Sequence, residues 1–220
     1  MSTALGPTAD SDTLARRYRA TVRRGERRLC EQDPMLARLR ELYGPCTLEP
    51  EWKRTPYEAL IRAVIFQQLH GNAARAILGR FVALFPDSGF PRPDVVAGAG
   101  DEQLRSVGLS RQKVRYVKEI TAAALSGDIP LGRDELSAMG DEQIITRLTP
   151  LPGVGRWTVE MLLIATLGRL DVLPVDDFGI RAGFVRAKRR RLPITPAALR
   201  KYGERWAPYR SIVAWYLWRR

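Results

Sequence analysis

Cysteine and histidine are nearly missing from this 220-residue chain: Cys30, Cys46 and His70 are the whole supply. Two lone cysteines at wide spacing make neither a disulfide framework nor a zinc or iron–sulfur site, and they fit a reducing compartment. No uninterrupted apolar run approaches the roughly 20 residues a membrane-spanning helix needs. The opening MSTALGPTADSDTLARR has no apolar segment of the kind a secretory signal carries, so a cytoplasmic protein is expected, nucleoid-associated if the source is bacterial. Convincing pairs of period-two strands are missing as well, and no fixed-period repeat is present. These absences exclude a membrane protein, a disulfide scaffold and an all-β fold.

Charge is what the chain has in excess. The net charge is +12 and the isoelectric point is near 10.4, which calls for a polyanionic partner. Residues 181–220 hold twelve Lys/Arg against one acid, Glu204, and residues 1–30 hold seven arginines against three acids. The intervening 31–180 carry a net −3. In the C-terminal segment the cations alternate with Trp206, Tyr209, Trp215, Tyr216 and Trp218. A solvated tail does not need tryptophans, so this segment is expected to fold and to bind nucleic acid.

The strong periodic signals are helical. Arg16 to about Cys30 reads as a basic helix, and Asp33–Tyr43 as an amphipathic one with Asp33 at its N-cap and Pro34 behind it. Thr55-Pro56-Tyr57-Glu58 is a capping-box pattern opening a largely apolar, hence buried, helix that ends near His70-Gly71. Further helices are expected from Asn72 to Phe85, over Asp101–Val107 and Ser110–Leu125, over Asp141–Leu148 and Trp157–Leu167, and over Thr195–Trp206 and Tyr209–Trp218. Ser88–Pro93 reads as a loop. The expectation is an all-α fold of many short helices behind a disordered segment at residues 1–12.

The informative stretch is LPGVGRWTVEMLLIATLGRLDVLPVDDFGI, residues 151–180. Gly153 and Gly155 permit a tight turn between two helices. With no side chains there, backbone N–H groups and the following helix N-terminus can approach a phosphate without reading sequence. The PGVGRWT hairpin followed about twenty residues later by PVDD resembles the helix-hairpin-helix (HhH-GPD) DNA glycosylases. The likeness is strongest to their alkylbase branch, the 3-methyladenine DNA glycosylase II type in a short form. It extends to Tyr57-Glu58-Ala59, Gln68-Leu69 and Arg205-Trp206-Ala207-Pro208-Tyr209-Arg210-Ser211, and covers roughly residues 33–218.

The resemblance implies a two-lobed helical fold with the DNA cleft and base pocket between lobes. One lobe is a helical barrel with the hairpin at about 141–167, and the other is made of the N- and C-terminal helices. It implies a catalytic aspartate with an apolar residue three positions on. Asp177 meets that register through Ile180, whereas Asp176 reaches only Gly179, so Asp176 is read as a helix N-cap or a local hydrogen-bonding group. A carboxylate suits cleavage of an N-glycosidic bond, because positive charge builds on the sugar in the transition state. Alkylated purines already carry positive charge and leave without much acid help. Strand-cleaving relatives carry a nucleophilic lysine two positions after the second hairpin glycine. Here that residue is Trp157, and no Schiff base is expected.

The same resemblance puts Trp157, Phe178, Trp218 and Met161 around the extruded base. Aromatic faces there attract a cationic base by roughly 0.5–2 kcal/mol. Leu69 is the expected wedge into the duplex, with Gln68 beside it. Gly153, Gly155, Arg156, Thr158, Arg181 and Arg210 are the expected backbone contacts. The carbonyls of Thr149, Leu151 and Val154 are the expected ligands of a structural monovalent cation, sodium or potassium, and no other cofactor is expected. The implied partner is duplex DNA containing alkylated bases, bound by a monomer. Two alternatives stay open on these residues: a non-catalytic hairpin module that only grips DNA, and a glycosylase for oxidised or mismatched bases.

Overall fold

A computed structural model describes residues 9–69, 71–86 and 89–219. His70 and residues 1–8 of the expected disordered segment lie outside the described residues. Residues 9–12 are helical, so the ordered chain begins earlier than the polar composition of that segment implies.

In chain order the elements are α1 (Ala9–Gln32), α2 (Pro34–Tyr43), α3 (Pro56–Phe66), α4 (Gly71–Ala83), α5 (Pro93–Ala97), α6 (Asp101–Ser106) and α7 (Arg111–Ser126). They continue with α8 (Arg133–Ser137), α9 (Asp141–Leu148), α10 (Arg156–Ala165), α11 (Phe178–Ala187), α12 (Pro196–Gly203), a 3-10 turn (Glu204–Trp206) and α13 (Arg210–Leu217). No strand occurs among the described residues. The short α5 and α8 are new relative to the periodicity, which one turn of helix is too brief to register. The continuous helix expected over Thr195–Trp206 tightens into the 3-10 turn after Gly203.

Local capping explains most of the boundaries. Thr55 accepts the Glu58 N–H at 3.1 Å and Ser110 accepts the Lys113 N–H at 3.3 Å, each satisfying an orphan donor of a first turn. The expected capping box at Thr55 is only half made. The Glu58 carboxylate turns instead to Arg62 one turn on, at 2.7 Å, where an i,i+4 ion pair competes for it.

The chain divides into two compact units: residues up to Trp52 together with those from Leu163 onward, and Lys53–Leu162. In the second unit α3 lies against α4 and α7. Leu60, Ile61, Val64 and Ile65 are wholly buried with Val114, Val117 and Ile120, and the Tyr57 hydroxyl pairs with Thr121 Oγ1 at 3.2 Å.

The first unit is organised around two buried carboxylates. Glu26 Oε1 accepts the Cys46 N–H at 2.6 Å and the Tyr216 hydroxyl, while its other oxygen meets Arg40 at 3.4 Å. The buried Cys46 thiol is pushed up to about 12 by desolvation, which removes it from thiolate chemistry. Asp33 accepts the Met35 N–H at 3.0 Å, Lys188 Nζ at 3.2 Å and Trp206 Nε1 at 3.1 Å. It therefore does more than cap α2: it ties that cap to the end of α11 and to the aromatic cluster of Phe184, Tyr202 and Trp206. Asp33→Ala strands a tryptophan N–H and an ammonium, and is expected to destabilise the protein by about 3–5 kcal/mol, measured by denaturant unfolding. Asp33→Asn, whose single amide oxygen can keep the Trp206 bond or the Met35 bond, should lose less.

Candidate functional site

The chemistry-bearing group of the first unit sits at the start of α11. Asp177 is in an extended conformation, and its side chain caps the helix: Oδ1 accepts the Ile180 N–H at 2.8 Å. The same oxygen accepts Trp218 Nε1 at 3.2 Å. Two N–H donors on one oxygen fix the orientation of the carboxylate. Ile180 is wholly buried, which anchors this register and leaves Asp177 half-buried. The cap is thus Asp177, which corrects the assignment to Asp176. Asp176 is exposed one residue earlier, and an N-cap must stand directly before the first helical residue.

Phe178 is 78% exposed. It borders a groove of about 410 Å³ whose walls include Arg181, Val185, Arg191 and Ile194. Arg181 is half-buried and donates to the Val175 carbonyl at 3.0 Å. Arg210 departs from expectation. Its guanidinium grips Asp171 through Nε at 2.7 Å and Nη2 at 2.9 Å, a bidentate pair that ties it to the loop before Asp177.

In the second unit, α9 and α10 enclose the turn 149–155. The Leu151 carbonyl accepts the Val154 N–H at 3.0 Å, and Gly153 has φ +81°. A Cβ at Gly153 would lie 2.4 Å from the Tyr116 ring, whereas one at Gly155 would meet nothing within 4 Å. The two glycines therefore do different work: the first lets the turn seat against α7, and the second keeps the backbone open to its surroundings. At the start of α10, Arg156 lies between Glu142 and Glu160, so its charge is locally balanced. Trp157 is 40% exposed, whereas Thr158 is 3% exposed. Met161, further along α10, is half-buried.

Beside this turn stands the end of α3. The chain leaves the helix at Gln67, Gln68 takes φ +55°, and Leu69 is 39% exposed. A positive φ on a residue other than glycine is uncommon and needs surrounding support. Gln67 Nε2 donates to the Gly153 carbonyl at 2.8 Å, and Lys113 Nζ donates to the carbonyls of Ile65 at 2.7 Å and Gln67 at 2.8 Å. Neither Gln67 nor Lys113 was a sequence candidate. Their partners lie 86 and about 47 residues away, and nothing local marks them.

Three comparisons with known proteins bear on this arrangement. Residues 61–208 match the family model described as "HhH-GPD superfamily base excision DNA repair protein". DNA-3-methyladenine glycosylase 1 of Schizosaccharomyces pombe is 44% identical over 169 residues, 76% of this chain and 73% of that one. DNA-3-methyladenine glycosylase 2 of Escherichia coli is 30% identical over 171 residues, 74% of this chain and 56% of that one. Among solved structures, the S. pombe 3-methyladenine DNA glycosylase in complex with abasic DNA superposes with a TM-score of 0.81 at 41% identity, covering 89% of this chain and 95% of that chain.

Proposed function

Because the chain belongs to the HhH-GPD superfamily of base excision DNA repair proteins, we propose that it is a monofunctional DNA glycosylase that hydrolyses the N-glycosidic bond of alkylated bases in duplex DNA. The observation that carries this reading is the doubly hydrogen-bonded Asp177 carboxylate at the head of α11, in a chain similar over three quarters of its length to a DNA-3-methyladenine glycosylase.

The chemistry follows from charge. As the bond from C1′ to the base nitrogen breaks, its electron pair leaves with the base, neutralising a base that alkylation had made cationic. The sugar gains oxocarbenium character, which an ionised carboxylate stabilises. Water adds its oxygen to C1′, and its proton passes to the carboxylate or to solvent. The Ile180 and Trp218 donors keep the Asp177 carboxylate directed through this sequence. The indole of Trp218, hydrogen-bonded to the carboxylate, offers an aromatic face that favours a cationic base. Leu69 fills the gap left in the duplex. Gly155 and the N-terminal amides of α10 hold phosphate. Arg181 adds charge, and the protein acts as a monomer.

The carbonyls of Thr149, Leu151 and Val154 fit a monovalent cation. Thr149 is the C-cap of α9, where helix carbonyls collect partial negative charge. The Leu151 carbonyl, although it accepts one N–H, has a second lone pair. An ion there would supply positive potential beside the phosphate.

The test is to incubate the protein with methylated duplex DNA and assay released base. 3-Methyladenine and 7-methylguanine are expected in the supernatant. The abasic sites should remain unbroken until alkali is added, and borohydride should trap no covalent complex, since Trp157 offers no amine. Borohydride trapping would overturn the monofunctional assignment. Tight binding without base release would favour a passive hairpin module.

A further inference from the structure

We propose that Lys113 is a positioning residue for base extrusion: with Gln67 it fastens the Gln68–Leu69 wedge to the phosphate-holding turn, so that the two act on DNA as one rigid part. This rests on the reading of Leu69 as the wedge.

α3 ends at Phe66, and its last carbonyls have no partner within the helix. Lys113 supplies one. Its ammonium rises from the first turn of α7 and donates to the carbonyls of Ile65 and Gln67, one on either side of the helix end. Burial lowers its affinity for the proton, the ordinary consequence of desolvating an ammonium. The charged form answers by donating to two backbone oxygens at once.

Gln67 makes the second link. Its side-chain N–H holds the Gly153 carbonyl, and Gly153 is the residue whose positive φ and missing side chain let the turn seat on the Tyr116 ring of α7. α7 therefore touches both ends of the arrangement, the wedge through Lys113 and the turn through Tyr116, and Gln67 joins those ends directly. Gln68 is held at φ +55° within this frame.

The consequence is mechanical. A wedge on a loose loop would yield when pressed into stacked bases. A wedge braced against the element that holds the phosphate transfers the load to the duplex. Lys113 contacts neither the base nor the carboxylate in this scheme, so its loss should slow extrusion while leaving the grip on undamaged DNA intact.

The experiment compares wild type, Lys113→Met, Lys113→Arg and Gln67→Leu. The substrate is a duplex with 2-aminopurine beside a single 7-methylguanine. The rapid fluorescence rise on mixing reports unstacking, single-turnover base release under saturating enzyme reports the whole reaction, and anisotropy with undamaged duplex reports the grip. Lys113→Met is expected to shrink the fluorescence rise and slow release on the order of tenfold or more, as misplacement by a fraction of an ångström does, with anisotropy and melting temperature unchanged. Lys113→Arg, which keeps the donors, should recover part of the rate, and Gln67→Leu should behave like Lys113→Met. Wild-type fluorescence and release in Lys113→Met would overturn the inference. So would a loss that merely follows weaker duplex binding or a lower melting temperature. If wild type itself releases no base, the proposed function fails, and the fluorescence rise still judges the bracing by itself.

Discussion

Asp177→Asn is expected to abolish release of alkylated bases while leaving duplex binding in place. Asparagine keeps the size of the side chain and an oxygen that can accept the Ile180 and Trp218 N–H groups, both of which bond Oδ1 in the carboxylate. What disappears is the negative charge opposite the developing oxocarbenium. Removing one preorganised electrostatic partner of a transition state typically costs about 10²–10³-fold in rate, roughly 3–4 kcal/mol. Single-turnover release should therefore fall by at least about 10²-fold, with affinity for a lesion-containing duplex held or improved. Asp177→Ala separates the two duties of the residue: it loses the charge and the cap together, adding about 1 kcal/mol of destabilisation. An asparagine variant that releases base at the wild-type rate would return Asp177 to a purely structural cap.

The second large effect lies one helix face away, at Gly183. α11 and α13 pack on one another, and a Cβ at Gly183 would stand 2.0 Å from the Leu217 carbonyl oxygen and 2.8 Å from its carbon. Both are backbone atoms, so no rotamer change relieves the clash and the helices must separate. Gly183→Ala is therefore expected to destabilise by about 1–3 kcal/mol, lowering the melting temperature by roughly 2–12 °C in a protein of this size. It should also cut base release in molecules that still fold, because Asp177 heads α11 and Trp218 ends α13, and their hydrogen bond spans the two helices being pushed apart. Gly79→Ala is the control: that glycine lies within α4 with nothing within 4 Å of a built Cβ, and alanine there should hold or raise stability by up to about 1 kcal/mol. Equal behaviour of the two variants would refute the close-approach argument.

Helix boundaries were legible wherever a capping residue met a periodic apolar face, as at Asp33, Thr55 and Ser110. Asp141–Leu148 agrees at both ends. Single-turn helices were not legible, and neither was the split of Thr195–Trp206, because one turn gives too few residues for a period. In the site, a tight turn at the hairpin glycines could be read from local spacing, whereas the N-cap first given to Asp176 falls to Asp177 in the structure. The fate of the arginines could not be read that way. Nothing near Arg210 in the sequence marks its bidentate partner Asp171, 39 residues away, and nothing local marks the burial of Thr158.

The sequence by itself determined the all-helical character, the excess of positive charge and the hairpin turn, because capping, periodicity and turn conformation depend on residues within a few positions of one another. Only the tertiary structure decided which charges pair with other side chains, that Trp218 reaches the Asp177 carboxylate, and that Lys113 and Gln67 join the end of α3 to its neighbours. These are contacts between residues tens of positions apart. A side chain carries no local mark of its distant partner, and the same arginine or lysine is a free cation or a structural strut depending on what the fold brings to it.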